Sequence, residues 1–355
     1  MREIKPVTSI DVAKRAGVSQ SAVSRTFTPG AAVSEATRHK VLDAAKALSY
    51  RPNAIARTLS TNRSRIIGVV LSYLDNQFYP AVVEQLSRAL QGHGFHVMLF
   101  FAEAHQGAVS AQGKDVDSAL TQLMAYQLDG VVLASTTLSS RLARECVEAG
   151  IPVVMFNRSA SGAQANSVTS NNIDGGHIAG LHLIEQGHRR IAYIAGRDDA
   201  STNRDRETGL LQALNDNRLE LFRRANGNFE HAAAAEATRA IFSGTALPDA
   251  VVVASDYMAF AVMDTLRYEL GLRVPEDASV ISFDDVPLAA WPAYNLTTVA
   301  QSVPAMVSST VNLLLDQLTD ASVVTRDVSV ACRLVVRGST QVSATSLEKP
   351  GAQRA

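Results

Sequence analysis

The fold class predicted by the sequence is a small α-helical head joined to a two-lobed α/β body with two doubly wound parallel sheets, and three observations predict it. The first is length: 355 residues exceed one small domain and allow two or three units that each bury a core. The second is the division of charge. Residues 1–65 hold 12 lysines and arginines against 4 aspartates and glutamates, a net of +8, and the remainder holds 21 against 30, a net of −9, within totals of 33 and 34. The third is a change of period. Helical spacing at the start gives way, from Ile66, to apolar runs alternating with amphipathic stretches, the pattern of packed α/β layers.

In the head, Thr8 stands as N-cap of a helix over 9–16, with Asp11 at the capping-box position. Ile10, Val12, Ala13 and Ala16 form its expected buried side, and Gly17 ends it with Val18 plugging the turn. Ser19 caps a second helix over 20–27, with Ala22, Val23 and Phe27 inward and Gln20, Ser21, Ser24 and Arg25 outward. Ser34 caps a third, whose Val41, Leu42, Ala45 and Leu48 close a three-helix core. A helix, a tight turn and a second helix with short polar residues at its start match a recognition helix entering the major groove. Gln20 and Ser21 then reach base edges, and Arg25 reaches guanine or a phosphate. Pro52 halts the third helix and Asn53 opens a short fourth that carries Arg57 and Leu59. Alone in water so short a helix is marginal, so its folding is expected to depend on DNA and a second chain, with exposed Leu59 wedging between base steps from the minor groove.

From Ile66 onward, runs over 66–71, 95–101, 130–134 and 153–156 are expected strands, with helices over 81–91, 117–126 and 141–149. A second series places strands at 191–194, 250–254 and 280–283, with helices over 174–186, 204–215, 232–242 and 256–269. Two such sets imply two lobes, with ligand bound at the carboxyl ends of the strands.

The run VTSIDVAKRAGVSQSAVSR over residues 7–25, with Val33-Ser34, Tyr50, Pro52-Asn53 and Ile67-Gly68-Val69-Val70, resembles the lactose and galactose repressor family, and the resemblance continues to about residue 340. It implies a helix-turn-helix headpiece over 1–51, a hinge helix and linker over 52–65, a periplasmic-binding-protein-like two-lobed sensor over 66–345 and a tail over 346–355. It also implies a homodimer on pseudo-palindromic operator DNA, with Thr8, Ser19, Gln20, Ser21, Ser24, Arg25, Asn53, Arg57 and Leu59 on the DNA side. Some members carry lysine after that leucine, where this chain has Ser60. Chain crossovers are implied near 160–166, 290–297 and 320–328. For the effector, the implied contacts are Phe78, Tyr79, Asn157, Thr202, Arg206, Phe229, Ser255, Asp284, Trp291 and Gln301. Many members have aspartate where Asn157 stands. Asp256 is expected to cap its helix instead. Directional donors and acceptors beside apolar rings suit a sugar or another polyhydroxylated ring, and equally a nucleobase.

Other classes are disfavoured. The composition, 46% hydrophobic and 19% charged, is too apolar for disorder, and no run approaches the roughly 20 residues that span a bilayer. With no hydrophobic signal region near the start, a cytoplasmic location is expected. Cys146 and Cys332 have no metal-type spacing and are expected to be reduced thiols. No phosphate loop, nucleophile elbow, zinc helix or dinucleotide fingerprint is present, so neither catalysis nor a cofactor is expected. The pairs His93/His96 and His177/His182 have structural or solvated roles in this reading. Two alternatives stand beside the effector-controlled regulator: a regulator that answers to a protein partner, and a sugar-binding protein without DNA function.

Overall fold

The structure, a computed structural model, describes residues 7–28, 30–51, 63–72, 74–102, 126–134, 145–146, 148–159, 165–320 and 322–341. The chain divides into two compact units, Met1–Ser64 and Arg65–Ala355.

The first unit packs α1 (Ser9–Ala16), α2 (Gln20–Thr26) and α3 (Glu35–Ala47) around Val12, Ala13, Val23, Val41, Ala44 and Ala45. The capping box between Thr8 and Asp11 closes in both directions, and Gly17 takes the left-handed conformation at φ 66°. The expected burial of Ile10 and Leu42 does not occur: they are 50% and 44% exposed. At 100° of rotation per residue, each stands roughly 100° from the stripe its helix buries.

The second unit holds two six-stranded sheets. The first consists of β1 (Ile66–Leu71), β2 (His96–Phe101), β3 (Gly130–Ala134), β4 (Val153–Phe156), β5 (Asn166–Ser170) and β11 (Asp327–Val330), ordered β11-β5-β4-β3-β1-β2 and parallel throughout. The second consists of β6 (Ile191–Ala195), β7 (Arg223–Asn226), β8 (Ala250–Val253), β9 (Ser279–Asp284), β10 (Thr297–Gln301) and β12 (Cys332–Val335), ordered β12-β10-β9-β8-β6-β7. Here only β12 departs from the expected parallel sheet, pairing antiparallel with β10. The helices are α4 (Phe78–Gly92), α5 (Asn172–Glu185), α6 (Ser201–Asp216), α7 (His231–Ile241), α8 (Asp256–Asp264, continued by a π turn over Thr265–Glu269) and α9 (Val303–Thr319). The helix expected over 117–126 lies almost wholly outside the described residues, and most of that over 141–149 does too.

The crossovers lie later than expected. The chain leaves the first lobe at Asn171, after β5; returns at Ser302, after β10; and leaves again at Ala331, between β11 and β12. Each lobe adds a strand before giving the chain up, so the crossings follow strand ends. Of the three expected segments, residues 160–164 and 321 are outside the described residues.

Helices α5 and α6 pack with backbones almost touching. A Cβ on Gly176 would lie 2.0 Å from the Arg206 carbonyl oxygen, and one on Gly209 would lie 1.8 Å from that of Ile173. Only glycine permits this approach, and it brings the start of α5 against the middle of α6.

Candidate functional site

On the head, α2 turns Ala22, Val23 and Thr26 inward and leaves Gln20, Ser21, Ser24 and Arg25 exposed. Ser19 Oγ accepts the Ala22 amide as N-cap and shares a 2.9 Å hydrogen bond with Ser21 Oγ. Gln20 Nε2 donates to Ser9 Oγ at 3.1 Å, and Arg25 Nε to the Ser21 carbonyl at 3.4 Å. One polar face is thereby ordered on a buried three-helix core. Asn53, Arg57 and Leu59 lie outside the described residues.

In the body, side chains that follow the carboxyl ends of strands from both sheets meet at Asp284, the last residue of β9. Its carboxylate accepts from Gln301 Nε2 at 2.7 Å and Asn76 Nδ2 at 3.4 Å, and stands 3.6 Å from Arg206 Nη2. The side chains of Arg206 and Asp284 are 2% and 3% exposed, so this is an ion pair taken out of water. Arg206 also donates from Nε to Asn172 Oδ1 at 2.8 Å and from Nη1 to the Ala254 carbonyl at 2.5 Å, and lies over the Phe283 ring at 4.6 Å. Its Nη2 is buried with no hydrogen-bond partner among the described residues. Burial raises the Asp284 pKa, against the lowering pull of Arg206, Gln301 and Asn76. A cavity of about 640 Å³ opens beside them, lined by Phe78, Asp284, Gln301, Val303 and Cys332 among others.

Tyr79 and Asn157 meet across the first lobe, where Asn157 Nδ2 donates to the Tyr79 hydroxyl at 3.2 Å and Asn157 Oδ1 is buried without a partner. Thr202 lies four residues before Arg206 on α6, on the same face. The Phe229 ring lies flush on Gly196, where a Cβ would come within 2.2 Å of it. Asn157, Phe229 and Asp284 all carry positive φ, at 58°, 61° and 123°. Strain of this kind gathers at ligand clamps and costs about 1–3 kcal/mol per residue.

Two expectations need correction. Ser255, not Asp256, caps α8, its Oγ accepting the Met258 amide, whereas Asp256 is wholly buried one residue further on. Among the described residues Trp291 is not brought to this cluster; it ends a 3-10 turn and is 60% exposed. A strand end aims a side chain into the cleft, whereas the turn after β9 has already left it.

Comparison with known proteins places this geometry. Residues 9–53 match the bacterial regulatory proteins of the lacI family, and residues 181–340 a periplasmic binding protein-like domain. The chain is 31% identical over 335 residues to the HTH-type transcriptional repressor PurR of Vibrio vulnificus (strain CMCP6), covering 93% of this chain and 98% of that one. The chain belongs to the LacI family. Among solved structures, the Lac repressor dimer bound to operator and the anti-inducer ONPF superposes with a TM-score of 0.84 at 28% identity, over 95% of this chain and 100% of that one. A complex of the transcriptional regulator CelR with cellobiose gives 0.67 at 31%, over 94% and 99%. As a LacI-family member the chain is a DNA-binding transcriptional regulator. No helix among the described residues is long and apolar enough to cross a membrane.

Within this LacI-family body the sequence reading passes over three residues, Asn76, Asn172 and Arg158, and gives a fourth, Asp256, a different role. Asn76 and Asn172 each hold a charged residue of the cluster. Their signal is faint: an asparagine just after a strand end, in a loop or opening a helix. Asp256 accepts from the Ser282 and Thr298 hydroxyls and the Val286 amide. Arg158, 5% exposed, donates from Nη1 to Thr202 Oγ1 at 3.3 Å and stands over the Phe229 ring at 5.7 Å. Directly after Asn157, its signal is a charge at a strand end.

Proposed function

We propose that this regulator is a cytoplasmic homodimeric repressor whose hold on a pseudo-palindromic operator is set by a small ring-shaped effector, a sugar or related metabolite, bound between the lobes. The observation that carries the effector is the buried constellation around Asp284. A buried guanidinium with a spare donor, a buried amide with a spare acceptor, and two rings, Phe78 on the cavity and Phe229 against Arg158, are the equipment for a hydroxylated ring. Phe78, Tyr79, Asn157, Thr202, Arg206, Phe229, Asp284 and Gln301 form the proposed pocket. Ser255 borders it, with its hydroxyl engaged as a helix cap. On the DNA side, Gln20, Ser21 and Arg25 contact bases; Thr8, Ser19 and Ser24 support them; and Asn53, Arg57 and Leu59 act from the hinge, Leu59 as the minor-groove wedge.

Effector binding that prefers one arrangement of the lobes changes the spacing of the two hinges, and with it their folding on DNA. The similarity to a cellobiose-bound regulator favours a sugar over a nucleobase. The test has two arms. A duplex selected from a random library by the purified protein is expected to be retarded in a gel, and less so with Leu59→Ala. A thermal-shift screen of sugars, polyols and nucleosides is expected to raise the melting temperature of the body. Effector binding that survives Asp284→Ala combined with Arg206→Ala counts against this pocket.

A further inference from the structure

Arg158 is a buried charge without a counter-ion. Among the described residues no carboxylate comes within 4.0 Å of it, whereas Arg206 has Asp284 at 3.6 Å. Asp199, the acid that feels its charge, is already held by Arg197 at 2.6 Å. A guanidinium offers five donors. One is engaged, at 3.3 Å to the Thr202 hydroxyl beside a ring face 5.7 Å away, and a cation so nearly buried with no carboxylate in reach is placed to take an anion.

Its place in the fold says which anion. Arg158 follows Asn157, whose acceptor Oδ1 is buried and unpartnered, and it binds Thr202, one turn from Arg206 on the same face of α6. Thr202 thus links the two guanidiniums' surroundings, one of them neutralised and one not. Resting on the effector reading above, we propose that Arg158 is the anion-binding residue of the pocket and that the effector is an acidic ring compound, bearing a carboxylate or a phosphate that Arg158 and the Thr202 hydroxyl bind together. Asp284, Gln301 and Asn157 hold the hydroxyl-bearing side of the same molecule.

The experiment is calorimetric titration of the full-length protein with matched sets of a neutral sugar, its carboxylated form and its phosphate: glucose, gluconate, glucuronate and glucose 6-phosphate, then the ribose and galactose counterparts. An acidic member is expected to bind about tenfold or more tightly than its neutral parent, and the set it comes from tells carboxylate from phosphate. Arg158→Gln is expected to weaken that acid by about ten- to a hundredfold, the range for losing a charged hydrogen bond, and to leave the neutral parent within about twofold. Without effector the variant is expected to melt no lower than wild type, because the cation it removes has no counter-ion there and glutamine can keep the hydrogen bond to Thr202; an arginine with a purely structural role would melt lower. Binding confined to neutral sugars, or an acid that binds Arg158→Gln as well as wild type, overturns the proposal and leaves the effector reading standing. No binding by any member, with operator retardation intact, overturns both.

Discussion

Asp256 is wholly buried, with two hydroxyls and an amide donating to its carboxylate, yet burial first and the charge of Asp284 second push its pKa up to about 7. The folded chain therefore keeps a proton that the unfolded chain releases near the ordinary carboxylate value of 3.8. A carboxyl raised in this way contributes stability that is complete below the unfolded value and lost as pH climbs through the folded one. Asparagine can turn its Oδ1 to the Val286 amide and donate from Nδ2 to both hydroxyls, so Asp256→Asn removes the charge and keeps the contacts. The variant is expected to flatten the fall in melting temperature between about pH 5 and about pH 7, and parallel curves for the two proteins would refute the assignment. Gly176 acts on the neighbouring cation through space alone. With a Cβ placed 2.0 Å from the Arg206 carbonyl oxygen, Gly176→Ala must push α6 away. The expected loss is about 1–3 kcal/mol in urea unfolding, together with weaker effector binding as Arg206 leaves Asn172 and Ala254.

Secondary elements differ in how much they owe to local sequence, and the head owes most. Ser34 Oγ accepts the Thr37 amide at 3.3 Å at the start of α3, and Ser34→Ala is expected to cost about 1 kcal/mol. Hydrogen exchange would report it as roughly fivefold faster exchange of α3 amides, with the amides of the body unchanged. The same locality makes α1, the Gly17 turn and the Ser19 and Ser34 caps legible in the sequence. In the body, β1, β3 and β4 are legible because an inner strand of a parallel sheet is covered on both faces and so is apolar without interruption. Edge strands lack that cover: β7, with the sequence RRAN, and β11, with DVSV, are short and polar. For β10 the pattern is hidden by Thr297 and Thr298, polar residues buried by hydrogen bonds to Ser339, Arg337, Thr340 and Asp256. α9 is a plainer omission, since Met306, Val307, Thr310, Val311 and Leu314 keep helical spacing on its buried side. In the cleft, strand-end residues with charge or rings are legible through resemblance. Asn76, Asn172 and Asp256 act by holding others, and a holding role has no sequence pattern of its own.

At the scale of the whole molecule, charge and linkage carry the function. A head of net +8 on a body of net −9 binds a phosphate polymer from one end only, so log affinity for operator is expected to fall linearly with log salt, by about 0.9 per phosphate neutralised. A slope near zero would refute the division of labour. The lobes are tied by Asn76 to Asp284, by Arg158 to Thr202, by the Ser159 amide to Ser201 Oγ at 3.1 Å, and by Ser170 through Gln301 to Asp284. An effector seated among these ties shifts the lobes only as far as its affinities for the two arrangements differ. Linkage then makes the effect mutual: the factor by which saturating effector changes operator affinity equals the factor by which operator changes effector affinity. Ser201→Ala deletes one tie, worth about 1 kcal/mol, or roughly fivefold, and is expected to move both factors together at fixed salt. If fluorescence anisotropy for operator and calorimetry for effector show that neither factor moves, the lobe arrangement is not the element that couples the two sites.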